Sequence, residues 1–347
     1  MQADKKIAII GAGPAGTYCA TKLSEKGFHC TLFDHTHPRE KPCGGGVTLA
    51  AIEKFPFLKT YKSKGRAPRD FKVLSCTGRQ ISVVQWKGFN ISRKLFDKEL
   101  LKKAIKNGAE LIPERVVAVK RKGEIWQVET SKQSVTSQIL VGADGVNSIV
   151  RRKVVGPISR ENLQLTFGYI VKGVENEPNT IKFLEKPGYI WLFPRKEESS
   201  IGIGGELKYG GTLKQLLDNF IKSNYPQIES LSKFSAMIPC AKNPKFFSTR
   251  CSGKNWVLIG DAAGHVDPIS GEGIMYALWS GELAAEAIIR GSLESYDISW
   301  RKEYGERLKQ RAIYRKEFYD PCRIELAAIF SGKNINLQPT ITNRRRH

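Results

Sequence analysis

The chain has no Cys-x-x-Cys pair, and its seven cysteines (Cys19, Cys30, Cys43, Cys76, Cys240, Cys251, Cys322) are odd in number and scattered. That pattern excludes a disulfide framework and fits a reducing compartment. The five histidines form no cluster with cysteine, which excludes a zinc-type site. No apolar run approaches the roughly 20 residues of a membrane span. The start, MQADKK, passes straight into a strand-like segment with no signal peptide. The expected location is therefore the cytoplasm, with at most peripheral contact at the inner face of the membrane. There is no internal repeat or low-complexity tract, which excludes solenoids and linker-rich arrays.

Acidic residues are also scarce: 34 Asp and Glu stand against 56 Lys and Arg, a net charge of +22. The cations spread along the chain, with small clusters at Lys102-Lys103, Arg151-Arg152-Lys153 and Arg344-Arg345-Arg346. Such a surface attracts anionic membrane or an acidic electron-donor protein, and it equally suits a plainly solvated exterior. No nucleic-acid motif accompanies the charge, so no specific nucleic-acid partner is expected.

What is present begins at residues 5–34, KKIAIIGAGPAGTYCATKLSEKGFHCTLFD. It reads as a strand over 6–10, a glycine turn, a helix to about residue 26, and a second strand over 28–33 that ends in Asp34. Gly11 permits the tight turn, Gly13 lets the backbone approach a pyrophosphate, and Gly16 lets helix and sheet pack closely. Pro14 and Ala15 open the helix, where the missing N–H of proline costs little. The helix end faces the phosphates, and Asp34 is placed to accept from a ribose hydroxyl. Alone, this fingerprint does not separate FAD from NAD.

A loop dense in Pro and Gly follows, then a helix over 47–55 and a hairpin within 69–91 that turns at Thr77-Gly78. Ser92 caps a helix over 93–107, which Gly108 stops. Strands at 115–120, 125–130 and 134–141 form a meander where a doubly wound sheet would carry a helix. Residues 163–205 are mainly strands, followed by a helix over 213–223 and a strand near 236–238. A buried strand over 256–259, a helix over 271–290 and amphipathic helices to about 330 complete the pattern.

Three separated pieces fit one cofactor: the opening fingerprint, GADGVNSIVRR with Asp144, and WVLIGDAAGHVDPISGEGI. In the third, a strand presents Gly260 and Asp261, and a glycine-rich loop leads to a helix N-terminus at Gly271, Gly273 and Ile274. Such a helix end suits the N1/O2 edge of a reduced flavin. Together the pieces resemble the single-Rossmann flavoproteins of the aromatic hydroxylase superfamily. The resemblance implies FAD, with Asp261 holding the ribityl chain and Arg93 touching the cofactor.

Two further motifs, Lys41-Pro42-Cys43-Gly44-Gly45-Gly46 and Tyr189-Ile190-Trp191-Leu192-Phe193-Pro194 followed by Gly202, resemble those of the geranylgeranyl reductase family. Members of that family saturate isoprenoid double bonds in archaeal lipids, chlorophyll side chains and quinone tails. The resemblance covers about residues 5–290 and implies that Cys43, Gly44 and Gly45 lie near the flavin ring. It also implies that Tyr189, Trp191 and Phe193 line a pocket for an apolar chain. Cys43 is a candidate for proton delivery and His265 a second. Each residue has a plainer reading: Cys43 as a small buried hydrophobe, the three aromatics as a core stripe, Arg93 as a surface charge, Asp144 and His265 as loop structure.

The expected fold is α/β: a Rossmann-like, doubly wound FAD-binding domain with a β-meander crossover, assembled from 1–65, 92–155 and 250–295. An antiparallel-sheet substrate domain comes from 66–91 and 156–249, with C-terminal helices over 296–335 and a loose tail over 336–347. No second complete G-x-G-x-x-G unit exists, so the reductant binds transiently, as NAD(P)H or as a reduced ferredoxin-like protein. The chain ends sooner after the helix at 271 than many family members do, which implies a shorter or different alkene. An FAD monooxygenase using NAD(P)H and O2 is the enzymatic alternative, a flavin-dependent halogenase is a less suited one, and a basic flavoprotein with a binding role only is the remote one.

Overall fold

The computed structural model describes residues 5–330. The opening unit folds as its spacing dictates: strand Ile7–Ile10, helix Pro14–Ser24, strand Cys30–Phe33. These strands lie at the centre of a six-stranded sheet. From one edge its order is Ser252–Gly253, Trp256–Leu258, Ile139–Gly142, Ile7–Ile10, Cys30–Phe33 and Glu110–Ile112. Only the two-residue edge strand Ser252–Gly253 runs antiparallel. The central strands are buried on both faces, as parallel strands covered by helices must be. Helix Pro14–Ser24 packs against Ile274–Ile289 so closely that a Cβ on Gly281 would stand 2.6 Å from the Ala15 carbonyl oxygen.

The meander is present as Val116–Lys122, Ile125–Thr130 and Ser134–Ser137, a separate three-stranded sheet. The single strand expected over 134–141 is in fact two. The chain leaves the meander at Ser137 and enters the parallel sheet at Ile139, and Gln138 between them accepts from the Lys6 amide at 2.7 Å. The short parallel strand Glu110–Ile112 was not among the expected elements, because three residues carry no periodicity.

The second sheet has seven strands, in the order Glu229–Pro239, Leu163–Lys172, Ser199–Glu206, Gly188–Pro194, Asn179–Phe183, Asp70–Leu74, Gln80–Gln85. It is mixed, not purely antiparallel, because Asn179–Phe183 runs parallel to Asp70–Leu74. The last strand before the third motif spans Glu229–Pro239, well beyond the expected 236–238. Alternation gives the sheet two faces. Ile190, Leu192, Ile201 and Ile203 pack against Leu213, Leu217 and Phe220 of helix Gly210–Asn224. Tyr189, Trp191 and Phe193 therefore turn to the opposite face, toward the glycine loop.

The helix expected from residue 271 begins at Ile274, since Gly271 holds φ +69° in the loop that feeds it. Helices Ser295–Trp300, Glu306–Phe318 and Pro321–Phe330 then return over the third motif and the edge of the second sheet. The tail expected over 336–347 lies outside the described residues.

Candidate active site

The first motif forms a cradle that only glycine can line. Gly11 has φ +102°, and a Cβ there would lie 2.3 Å from the Ala143 carbonyl oxygen; one on Gly16 would lie 2.0 Å from the Gly11 carbonyl. At Gly13, by contrast, the nearest atom to such a Cβ is Lys41 Nζ at 3.3 Å, so the space before the helix end is open. Asp34 accepts from the Ala12 amide at 3.0 Å and from both Thr36 donors at 2.9 Å. Burial opposes its charge, but these hydrogen bonds outweigh it and hold the carboxyl below its ordinary range.

Cys43, Gly44 and Gly45 lie on the loop that crosses this cradle. Gly45 takes φ +76° with a Cβ site 2.1 Å from the Ile91 carbonyl oxygen, and its amide donates to Cys43 Sγ at 3.3 Å. Arg195, 1% exposed, clamps the loop. Its guanidinium donates to the Cys43 carbonyl at 2.8 Å and the Gly44 carbonyl at 3.3 Å, and pairs with Glu40 at 2.8 Å and Glu198 at 3.2 Å. Ser200 adds a bond to the Cys43 carbonyl at 3.1 Å. Glu40 in turn accepts from Ser92 Oγ and from the amides of Arg93 and Lys94, neutralising the start of helix Arg93–Lys106.

Arg93 is buried and forms a two-pronged pair with Asp97, at 2.8 and 2.9 Å. Burial disfavours its charge, but Asp97 and then Cys43 more than restore it, so the guanidinium is held firmly protonated beside the thiol. Glu40, Asp97, Arg195 and Ser200 were not among the sequence candidates. Asp97 was legible, standing four positions after Arg93 on a helix. Arg195 closes an apolar strand, where a charge must find partners.

The aromatic strand lies across the loop. A Cβ on Gly44 would fall 2.3 Å from the Phe193 ring, so the glycine run and Phe193 form one packed wall. Trp191 lies over Gly202, bonds Ser200 Oγ at 3.1 Å, and stacks offset on Phe234 with ring centres 6.3 Å apart. Tyr189 sits edge-on to Trp191 and donates to the Ser270 carbonyl at 2.5 Å, tying the sheet to the third motif's loop.

In the third motif, Gly260 (φ +57°) turns the chain at the end of strand Trp256–Leu258 and delivers Asp261, whose Oδ1 lies 3.7 Å from the Cβ site of Gly273. Asp267 braces the loop by accepting from Ile269 and Ser270 and by pairing with Arg311. Glu272 accepts from the Met275 amide at 3.1 Å, and burial pushes its carboxyl up to about 7. In the second motif, Asp144 Oδ2 caps helix Ile149–Val154 through the Ile149 amide at 2.7 Å. Its Oδ1 is buried without a partner, and burial raises this carboxyl.

His265 stands apart from the expected role. It is fully buried, its Nδ1 lies 2.9 Å from the Tyr304 hydroxyl, and its ring is 4.4 Å from that of Trp300. Burial, with Arg151 and Arg301 behind it, lowers its pKa to about 3. The imidazole is therefore neutral and joins the third motif to the C-terminal helices. Among the described residues no group of His, Cys, Asp and Glu is arranged to hold a metal.

A glycine cradle before a helix end, an acidic residue on the following strand, and a third loop delivering Asp261 define a single-Rossmann dinucleotide flavoprotein. Its residues fit FAD: the open space at Gly13, the unpartnered Asp144 oxygen and Asp261 follow the carboxyl ends of the adjacent parallel strands Ile7–Ile10, Ile139–Gly142 and Trp256–Leu258. A model of the NAD(P)-binding Rossmann-like domain matches residues 9–44, and that of the geranylgeranyl reductase catalytic domain matches 162–238. The chain belongs to the geranylgeranyl reductase family of FAD-dependent oxidoreductases. It is 30% identical to an uncharacterised protein of Methanosarcina barkeri, over 83% of this chain and 75% of the relative. It is 29% identical to the geranylgeranyl diphosphate reductase of Rhodobacter capsulatus and 25% to digeranylgeranylglycerophospholipid reductase 1 of Methanococcoides burtonii, each over 90% of this chain and 83% of the relative. The fold is shared with a geranylgeranyl bacteriochlorophyll reductase-like protein of Thermoplasma acidophilum (TM-score 0.84, 19% identity, 97% and 94% of the two chains). It is also shared with p-nitrophenol 4-monooxygenase of Pseudomonas putida (TM-score 0.74, 17% identity, 94% and 93%).

Proposed function

We propose that this enzyme reduces carbon–carbon double bonds of an isoprenoid or similarly apolar substrate. The observation that carries the reading is the wall made by Cys43-Gly44-Gly45 and Phe193, which joins the two reductase motifs into one surface under the clamp of Arg195. The names of the relatives in M. burtonii and R. capsulatus, both reductases of geranylgeranyl compounds, support an isoprenoid substrate.

Bound FAD supplies the hydride. The chain supplies position, dryness and a proton. Tyr189, Trp191 and Phe193 offer an apolar face against which an alkene chain lies, while Ser200 and Arg195 keep the Cys43 loop from moving away. Cys43 delivers the proton, its thiol held between the Gly45 amide and the Arg93 guanidinium. His265, sealed in the core, takes no part. The reductant is NAD(P)H or an acidic ferredoxin-like protein that a +22 surface attracts.

The test is anaerobic photoreduction of the flavoprotein followed by mixing with geranylgeranyl lipid or diphosphate. Flavin reoxidation with a gain of two hydrogens per double bond is expected. If oxygen alone reoxidises the flavin and an added aromatic compound gains oxygen, the enzyme is a monooxygenase.

A further inference from the structure

Arg93 and Lys41 are neighbours in different electrostatic positions. Arg93 is locked to Asp97 by two hydrogen bonds. Lys41 has no ion pair or hydrogen bond with any described residue, and its Nζ is the atom nearest the open side of Gly13. Burial, with Arg93 and then Arg39, lowers its pKa, and Asp97 and Asp261 offset this only in part. A half-buried ammonium without a partner is costly unless an anion is delivered from outside the chain.

We infer that Lys41 is the diphosphate-binding cation of the cofactor site, donating to the phosphates that the amides of the Pro14–Ser24 helix end also face. Gly13 stands at that helix end, where backbone donors and the positive dipole already gather negative charge, and the ammonium lies directly before it. Neutral ribityl hydroxyls would not compensate a cation; a diphosphate does. Position 41 opens the same Lys-Pro-Cys-Gly-Gly-Gly run that ends against Phe193, so one loop grips the cofactor at both its phosphates and its ring side.

The inference rests on the FAD reading and is tested on apo-protein prepared from the full chain. In titrations followed by flavin fluorescence, Lys41→Met raises the FAD dissociation constant about 10- to 100-fold, the range for one charge-assisted hydrogen bond, and Lys41→Arg restores most of it. The ratio of ADP to adenosine affinity, measured by competition, falls in Lys41→Met. The apo form of that variant melts at or above the wild-type temperature, because an uncompensated cation is gone, while the FAD-induced rise in melting temperature shrinks. An unchanged FAD affinity overturns the inference. So does equal weakening of ADP and adenosine, or an apo form that melts lower with its FAD-induced rise intact, which would make Lys41 a partner of Asp261. If the wild type itself binds no FAD, the underlying cofactor reading fails instead.

Discussion

Gly44 shows how much one missing side chain decides. The Phe193 ring occupies the place of its absent Cβ, so Gly44→Ala must push either the ring or the loop aside by about an ångström. A displacement of that size at a reacting centre costs on the order of 100-fold in turnover. Single-turnover kinetics of the variant should show that loss with FAD still bound. Cys43→Ser removes the proposed acid without changing shape; turnover should fall at least ten-fold while FAD content and melting temperature stay at wild-type values. Arg195→Met is a different kind of change, because it removes the buried cation paired with Glu40 and Glu198 and one donor from each of two loop carbonyls. Breaking a buried pair this way costs about 3–5 kcal/mol, to be read by denaturant unfolding. The glycines, Cys43 and the aromatic stripe were legible in the sequence because each belongs to a local run with fixed spacing. Arg195 was not, since its partner Glu40 is 155 positions away and no local pattern links them.

Among the elements, those with punctuation were legible. Ser92 capped its helix through the Leu95 amide as expected, and the Thr77-Gly78 turn closed its hairpin. The strand expected over 134–141 is two because the chain changes sheets at Gln138, where no Gly or Pro marks the break in the sequence. The sequence places His265 in the loop of the third motif, as a candidate for proton delivery or as loop structure; the elements that surround it, Ser295–Trp300 and Glu306–Phe318 with the π-helical segment Arg301–Gly305 between them, come later in the chain and bury it. That burial makes a pH prediction. The folded pKa of about 3 lies below the unfolded value of about 6.5, so the contribution to stability is complete above pH 6.5 and is lost as pH falls toward 3. Each pH unit within that window costs about 1.4 kcal/mol through this group. The positive charges of Arg151 and Arg301 act with burial in setting that low value. His265→Gln should flatten the acid limb of an unfolding-versus-pH curve, whatever its stability at neutral pH.

At the scale of the whole molecule, part of the positive charge is gathered on one surface. Helices Pro56–Lys64 and Arg93–Lys106 lie side by side, joined by the Tyr61–Phe96 ring contact, and expose Lys59, Lys62, Lys64, Lys94, Lys98, Lys102 and Lys106. Glu99 between them is already paired with Lys64 and Lys102. If the reductant is the proposed acidic donor protein, it should reduce the enzyme several-fold more slowly as ionic strength rises from about 0.01 to 0.15 M, where the screening length falls from about 30 to 8 Å. Reoxidation of photoreduced enzyme by substrate should not change, and stopped-flow measurements of the two half-reactions separate these outcomes. Among the described residues no helix is long and apolar enough to cross a membrane.

The parallel pairing of Asp70–Leu74 with Asn179–Phe183 also constrains how the molecule is made. The first of these strands leaves the ribosome long before the second, and it has only its hairpin partner Gln80–Gln85 to hold meanwhile. Isolated hairpins are marginal in water. The parallel sheet waits as well, because Trp256–Leu258 must arrive before Ile139–Gly142 is covered on both sides. Assembly of both sheets is thus deferred until residues through 258 have been made, and slow, non-local pairing of this kind is rate-limiting for folding. Nascent chains arrested before residue 179 should be digested quickly by protease, and those arrested with residues through 290 outside the exit tunnel should resist it.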